Sequence, residues 1–92
     1  MRLEQLQYIV ETAKQKSISK AAKNLYISQP SLSKAISQLE TELGFSIFVR
    51  LQQGVIPTTK GEIIVAKAQT ILKEIEDIKN IEDTSTLQAT TF

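Results

Sequence analysis

The segment SQPSLSKAISQLETELG, Ser28 to Gly44, constrains this chain more than any other, because both ends of a helix are written into it. Ser28 suits the N-cap, and Pro30 suits a first turn, where a missing N–H leaves nothing unpaired. Gly44 supplies the left-handed residue that follows a helix C-terminus. Between them Leu32, Ile36, Leu39 and Leu43 recur at helical steps and set one apolar stripe against a core. The opposite face opens with Gln29, Ser31, Ser33, Lys34, Ser37 and Gln38, short hydrogen-bonding groups with one cation and no acid before Glu40. Base edges flanked by phosphates suit such a surface. A plain amphipathic helix with a solvated face explains it equally well, so the neighbouring segments have to decide.

With 92 residues the chain is one domain, or one domain with an extension. No apolar run approaches the roughly 20 residues needed to cross a bilayer, and MRLEQLQYIV lacks the layout of a secretory signal, so a cytoplasmic location is the expectation. The sequence has no cysteine and no histidine, which removes disulfides, zinc fingers, thiol nucleophiles and imidazole bases. The net charge of +1 hides an asymmetry. Residues 1–61 carry +4 and residues 62–92 carry −3, and between Thr12 and Leu39 there are five lysines and no acid. A one-sign block on a folded surface attracts polyanions, although a lysine face can also serve solubility alone.

Leu3, Leu6, Ile9, Val10 and Ala13 predict a first helix over about residues 3 to 15, with Glu4, Gln5, Gln7 and Glu11 outward. Ser17 or Ser19 caps a short second helix in which Ile18, Ala21, Ala22 and Leu25 face inward. The paired alanines allow a following helix to cross closely, and only Tyr26 and Ile27 precede the Ser28 cap. That is a helix-turn-helix, though without the usual glycine in the turn. FSIFVRLQQGVIPTT then predicts a hairpin with arms near Ile47 to Leu51 and Val55 to Ile56, turning at Gly54. Phe45, Ile47 and Phe48 are expected to close the core, Pro57 to end the second arm and Thr58 to cap the next helix. Such a hairpin is a wing, and its Arg50 can reach a phosphate or a minor groove.

From Thr59 to about Ile81 a long helical pattern places Ile64, Ala68, Ile71, Ile75 and Ile78 on a heptad seam, with Val65 and Leu72 beside it. Folding back on the domain is one use for that seam; pairing with a second copy is the expected one, because the 60-residue domain before it reads as already closed. EDTSTLQATTF has no periodicity and reads as a linker or tail.

Taken together, LEQLQYIV, SISKAAKNLYISQPSLSKAISQLETELG, IFVR and TTKG resemble the N-terminal DNA-binding domain and linker helix of LysR-type bacterial transcription regulators, over about residues 3 to 82. The resemblance implies a mainly α winged helix-turn-helix of three helices and a two-stranded wing, residues 1–58, then a linker and dimerisation helix, 59–82, and a hinge or tail, 83–92. It implies binding to double-stranded DNA at a quasi-palindromic site, with the recognition helix in the major groove. Gln29, Pro30, Ser31, Ser33 and Lys34 match the family's reading positions; Ser17, Ser19 and Thr58 match donors to phosphate; Arg50 matches a wing contact. A homodimer through Ile64, Ala68, Ile71, Leu72, Ile75 and Ile78 is implied, with a tetramer possible in the full-length protein. These 92 residues would hold no cofactor, metal or membrane segment, and a small-molecule effector would bind in a further domain. The chain departs from the family at Leu51-Gln52-Gln53, where the wing tip is often basic, and at Pro57 and Lys60, where leucine and alanine are usual. Two other classes compete: a helical protein-interaction module, and an enzyme. The second has little support, since Glu40 and Glu42 lie on different helix faces and Gly44, Gly54 and Gly61 form no phosphate loop.

Overall fold

The structure, a computed structural model, describes residues 1–81, so Glu82 and the 83–92 tail lie outside the described residues. Its elements in chain order are α1 (Leu3–Gln15), α2 (Ile18–Leu25), α3 (Gln29–Leu43), β1 (Phe48–Leu51), β2 (Gly54–Pro57) and α4 (Thr59–Lys79). The strands form a two-stranded antiparallel sheet in which Phe48 faces Pro57 and Arg50 faces Val55. This is a winged helix-turn-helix followed by a long helix.

Each helix begins where a hydroxyl can accept an orphan amide, except the first. Ser17, Ser28 and Thr58 accept the N–H of Lys20, Ser31 and Gly61 respectively. At α1 the task falls to Gln5, whose Oε1 accepts the Arg2 N–H at 2.8 Å. Folding back to do so buries Gln5, which the sequence pattern turns outward, while Leu3 in the first turn stays exposed rather than in the core. Thr12 is the other unexpected buried polar residue; its Oγ1 donates to the Tyr8 carbonyl one turn earlier, so the hydroxyl is satisfied.

The core unites all the elements: Leu6 and Ile9 of α1, Ala21 and Ala22 of α2, Leu32, Ile36 and Leu39 of α3, Ile47 and Phe48 at the entry to the wing, Val55 of β2, and Val65 and Ala68 of α4. The alanine pair is fully buried, as the close crossing of α2 and α3 requires. No glycine is needed in the turn between them. Tyr26 itself adopts the left-handed conformation, φ 59 and ψ 39, and its N–H caps α2 on the carbonyls of Ala22 and Lys23. Beside this turn Asn24 donates to Glu11 at 2.9 Å and ties α2 to α1; Gln15 donates to the same oxygen at 2.7 Å. These hydrogen bonds, that from Asn24 foremost, hold the Glu11 carboxyl below the usual carboxylate range.

The wing is shifted by a residue from its sequence-based limits. Ile47 is fully buried and precedes β1, and β2 begins at Gly54 itself; Pro57 ends the second arm, as expected. Gly54 is required by contact: a Cβ there would collide with the Lys16 carbonyl, which also accepts the Val55 N–H at 3.1 Å. The wing is thereby fastened to the junction of α1 and α2.

The first half of α4 does what the seam was not expected to do. It packs on α1 and contributes Val65 and Ala68 to the core, with Ile64 half-buried against it. The domain before it is therefore not closed without it. Beyond Ala68 the helix leaves the domain, and the molecule measures 51 × 26 × 20 Å as a result. No helix among the described residues is long and apolar enough to cross a membrane.

Candidate nucleic-acid interface

The polar face of α3 emerges from its burial pattern. With Leu32, Ile36 and Leu39 inward, Gln29, Pro30, Ser31 and Lys34 stand exposed on the first turns, and Ser33 is half-buried beside the core stripe. The Ser28 hydroxyl accepts the Ser31 N–H and donates to Ser31 Oγ at 2.8 Å, which fixes the first turn. Gln29 is thus presented from a capped, rigid helix start rather than a loop.

Two shallow grooves meet at Gln29 and Ser19. One runs between α2 and α3 and is lined by Ser19, Lys20, Ala22, Lys23, Ile27 and Gln29. The other runs between the start of α2 and the wing, where Ser17, Ser19, Gln29 and Arg50 meet Gln52 and Gln53. Four residues singled out in the sequence, from three separate elements, therefore line one surface. Ser17 and Ser19 approach each other at 3.1 Å between hydroxyls, at the N-terminus of α2.

The electrostatics of this surface are one-sided. Among the described residues, Lys16, Lys20, Lys23, Lys34 and Arg50 make no salt bridge, whereas the ion pairs that exist sit elsewhere: the Met1 amino group with Glu42, Arg2 with Glu4, Lys73 with Asp77, and Lys79 with Glu76. Glu42 faces the chain's N-terminus, and Glu40 turns to the backbone before the wing. Neither acid lines the grooves. Unpaired cations over hydroxyl and amide groups form a surface that can hold a phosphodiester backbone while leaving Gln29 to address a base edge.

Beyond the fold, a sequence profile of the bacterial regulatory helix-turn-helix proteins of the lysR family matches residues 3–62. This chain belongs to the lysR family. Its lysR-family relatives include the HTH-type transcriptional regulator CysB of Burkholderia cenocepacia, 43% identical over 83 residues, which are 88% of this chain and 26% of that protein. They also include the dual regulator OxyR of Escherichia coli, 35% identical over 81 residues, again 88% of this chain and 27% of the relative. The chain thus spans about a quarter of the length of these curated relatives. Among solved structures, the BenM DNA-binding domain in complex with a catB site shares 32% identity and a TM-score of 0.85, covering 91% of this chain and 90% of that one. The CbnR DNA-binding domain in its DNA complex shares 27% identity and a TM-score of 0.84, covering 94% and 99%.

Not every expected lysR-family position serves as expected. Thr58 lines neither groove: its Oγ1 donates to the Ser46 carbonyl at 2.7 Å and accepts the Gly61 N–H at 2.9 Å, so within the chain its hydroxyl holds the start of α4. Ala68, placed on the dimer seam, is 1% exposed within the single chain and belongs to the core. Ile64 is half-buried against that core. The seam remains open further on, where Ile71 is 43% and Ile78 68% exposed and Leu72 and Ile75 are half-buried. Lys60 lies over the Phe45 ring at 5.0 Å, which gives the cation found at this departure from the family a local partner. Four polar or charged lining residues were not singled out from sequence as site residues: Lys20, Lys23, Gln52 and Gln53. The acid-free lysine block pointed at the first two. Nothing in the linear sequence brings the wing tip to the start of α2, because that depends on the Lys16 carbonyl holding the wing.

Proposed function

We propose that this chain binds double-stranded DNA sequence-specifically as the DNA-reading part of a lysR-type transcription regulator. The convergence of the α2 N-terminus, the first turns of α3 and the wing on one acid-free surface carries the reading. In it, the start of α3 enters the major groove, Gln29 pairs with a base edge, and Pro30 offers apolar contact to a thymine methyl. Ser31, Ser33 and Lys34 contact bases or phosphates around them. Ser17 and Ser19 donate to a phosphate at the N-terminus of α2, and Arg50 reaches the backbone or minor groove from the wing. The exposed Ile71 and Ile78 with the half-buried Leu72 and Ile75 support pairing of two chains through the distal part of α4. Two recognition helices would then face two half-sites, with an affinity no single domain reaches. The reading places the protein in the cytoplasm with its DNA, makes it a regulator without catalysis, and assigns effector sensing to sequence outside these 92 residues.

Selection of duplexes from a randomised pool, followed by titration of salt, tests it. Gln29→Ala should relax the preference at one base pair. Lys34→Ala and Arg50→Ala should weaken binding to every sequence and each lower the salt slope by about one. Unchanged binding by all three variants would overturn the assignment, and a wild-type chain with no salt-sensitive affinity for duplex DNA would favour a protein-interaction module.

A further inference from the structure

A two-stranded hairpin is marginal by itself in water, so the direction in which the wing points must be set by what anchors it. Three anchors hold it. The Lys16 carbonyl accepts the Val55 N–H, Thr58 binds the residues before β1, and a side chain of α3 grips the start of β1. That side chain is Glu40, whose Oε2 accepts the N–H of Ile47 at 2.7 Å and of Phe48 at 3.2 Å. On the other side of the same residue, the Ile47 carbonyl accepts the Thr58 N–H at 2.8 Å and the Thr58 hydroxyl at 3.3 Å. It also sits so close to Gly61 that a Cβ there would collide with it. Ile47 is therefore joined to α3 through its N–H and to α4 through its carbonyl, while its side chain is fully buried.

Glu40 stands in the last turns of α3 and lines neither groove, so its carboxylate calls for a purpose other than ligand contact. Two converging backbone N–H groups supply one, because a carboxylate is a stronger acceptor than an amide oxygen. We propose that Glu40 is a positioning residue for DNA binding: it locks the wing to α3, so that Arg50 and Gln29 meet one duplex in a fixed relation. The inference rests on the DNA-binding reading above. Glu40 touches no DNA in it and acts through Arg50.

The test compares Glu40→Ala and Glu40→Gln in the 92-residue chain, first without DNA. In Glu40→Ala the amides of Phe48 to Leu51 and Gly54 to Ile56 should exchange with solvent about tenfold faster or more, while those of α1 and α2 keep their protection. Glu40→Gln, which retains an oxygen acceptor, should lie between. Equal acceleration throughout the chain, or none in the wing, overturns the clamp. The second arm uses a duplex selected from a random pool by the wild-type chain. Arg50→Ala should weaken binding about tenfold in the wild-type background, as loss of a charged hydrogen bond does. In Glu40→Ala the same change should matter by less than about twofold, because a released wing no longer delivers Arg50, and in Glu40→Gln by about threefold. Equal Arg50→Ala losses in all backgrounds would make Glu40 a stability residue only. If Glu40→Ala does not fold, the Glu40→Gln cycle decides by the same comparison. Failure of Arg50→Ala to weaken wild-type binding would count against the wing's contact with DNA, and the exchange arm would still decide the clamp.

Discussion

Replacing Tyr26 by glycine should stabilise this domain. Tyr26 holds φ 59 and ψ 39, and its side chain is 95% exposed. The left-handed conformation costs a residue with a Cβ roughly 1–2 kcal/mol, and a side chain in water offers no packing to offset it. Glycine removes that strain but loses more backbone freedom on folding, about 0.5–1 kcal/mol. The N–H that caps α2 on Ala22 and Lys23 is kept. The net gain is then about 0.5–1 kcal/mol, which for a domain of this size corresponds to a rise in Tm of roughly 2–8 °C. Tyr26→Ala is the control, because it removes the ring and leaves the Cβ; its Tm should move by less than half as much. Thermal unfolding followed by far-UV circular dichroism reads both, at one fixed protein concentration, since pairing of chains would itself raise Tm. A lower Tm for Tyr26→Gly, or an equal rise for Tyr26→Ala, would refute the reasoning by showing that the ring rather than the backbone sets the balance.

Gly61→Ala should destabilise by about 1–3 kcal/mol or more, seen as a lower midpoint in urea, because its Cβ meets the Ile47 carbonyl and the Thr58 bonds to that carbonyl must yield. Along α4, Ile78→Glu should abolish association while leaving the thermal midpoint of the dilute chain nearly unchanged, whereas Ala68→Glu should unfold it, since one residue is exposed and the other is core. Sedimentation velocity separates these outcomes, and a wild-type chain that is monomeric at tens of micromolar would refute the pairing. The Glu11 carboxyl is held below the usual carboxylate range, chiefly by the hydrogen bond from Asn24. A group with a depressed folded pKa adds stability above its unfolded pKa and loses it as pH falls through the folded one. Wild type should therefore be more stable than Asn24→Ala at pH 7, and the part of that difference owed to the ionised carboxylate should close below about pH 4.5 in thermal melts; a gap unchanged down to pH 2.5 would show that Glu11 does not contribute through its charge.

Legibility in the sequence tracked how local each cause was. Ser28, Pro30 and Gly44 marked both ends of α3 because capping acts within one turn, and the observed helix begins and ends where those residues place it. The alanine pair announced a close helix crossing for the same reason. Misreadings arose wherever a distant group supplied a partner. Gln5 is the exception, since the Arg2 amide it accepts from lies within one turn, whereas the Ser46 and Ile47 carbonyls that engage the Thr58 hydroxyl lie twelve and eleven residues away. Glu40 stood out as the first acid after the lysine block, but its two amide partners lie seven and eight residues on.

The amino-acid sequence by itself determined the element order, the hydroxyl caps of α2, α3 and α4, the polar first turns of α3 and the acid-free lysine block, all of which follow from nearest neighbours and periodicity. Only the tertiary structure decided how those pieces face one another. It brought the wing to the start of α2 through the Lys16 carbonyl, and it divided the heptad seam into a proximal part that completes the core and a distal part left open to a partner. The physical reason is the same in both cases. Periodicity tells which face of a helix is apolar, but whether that face is buried by its own chain or by another depends on surfaces that only the packed fold creates.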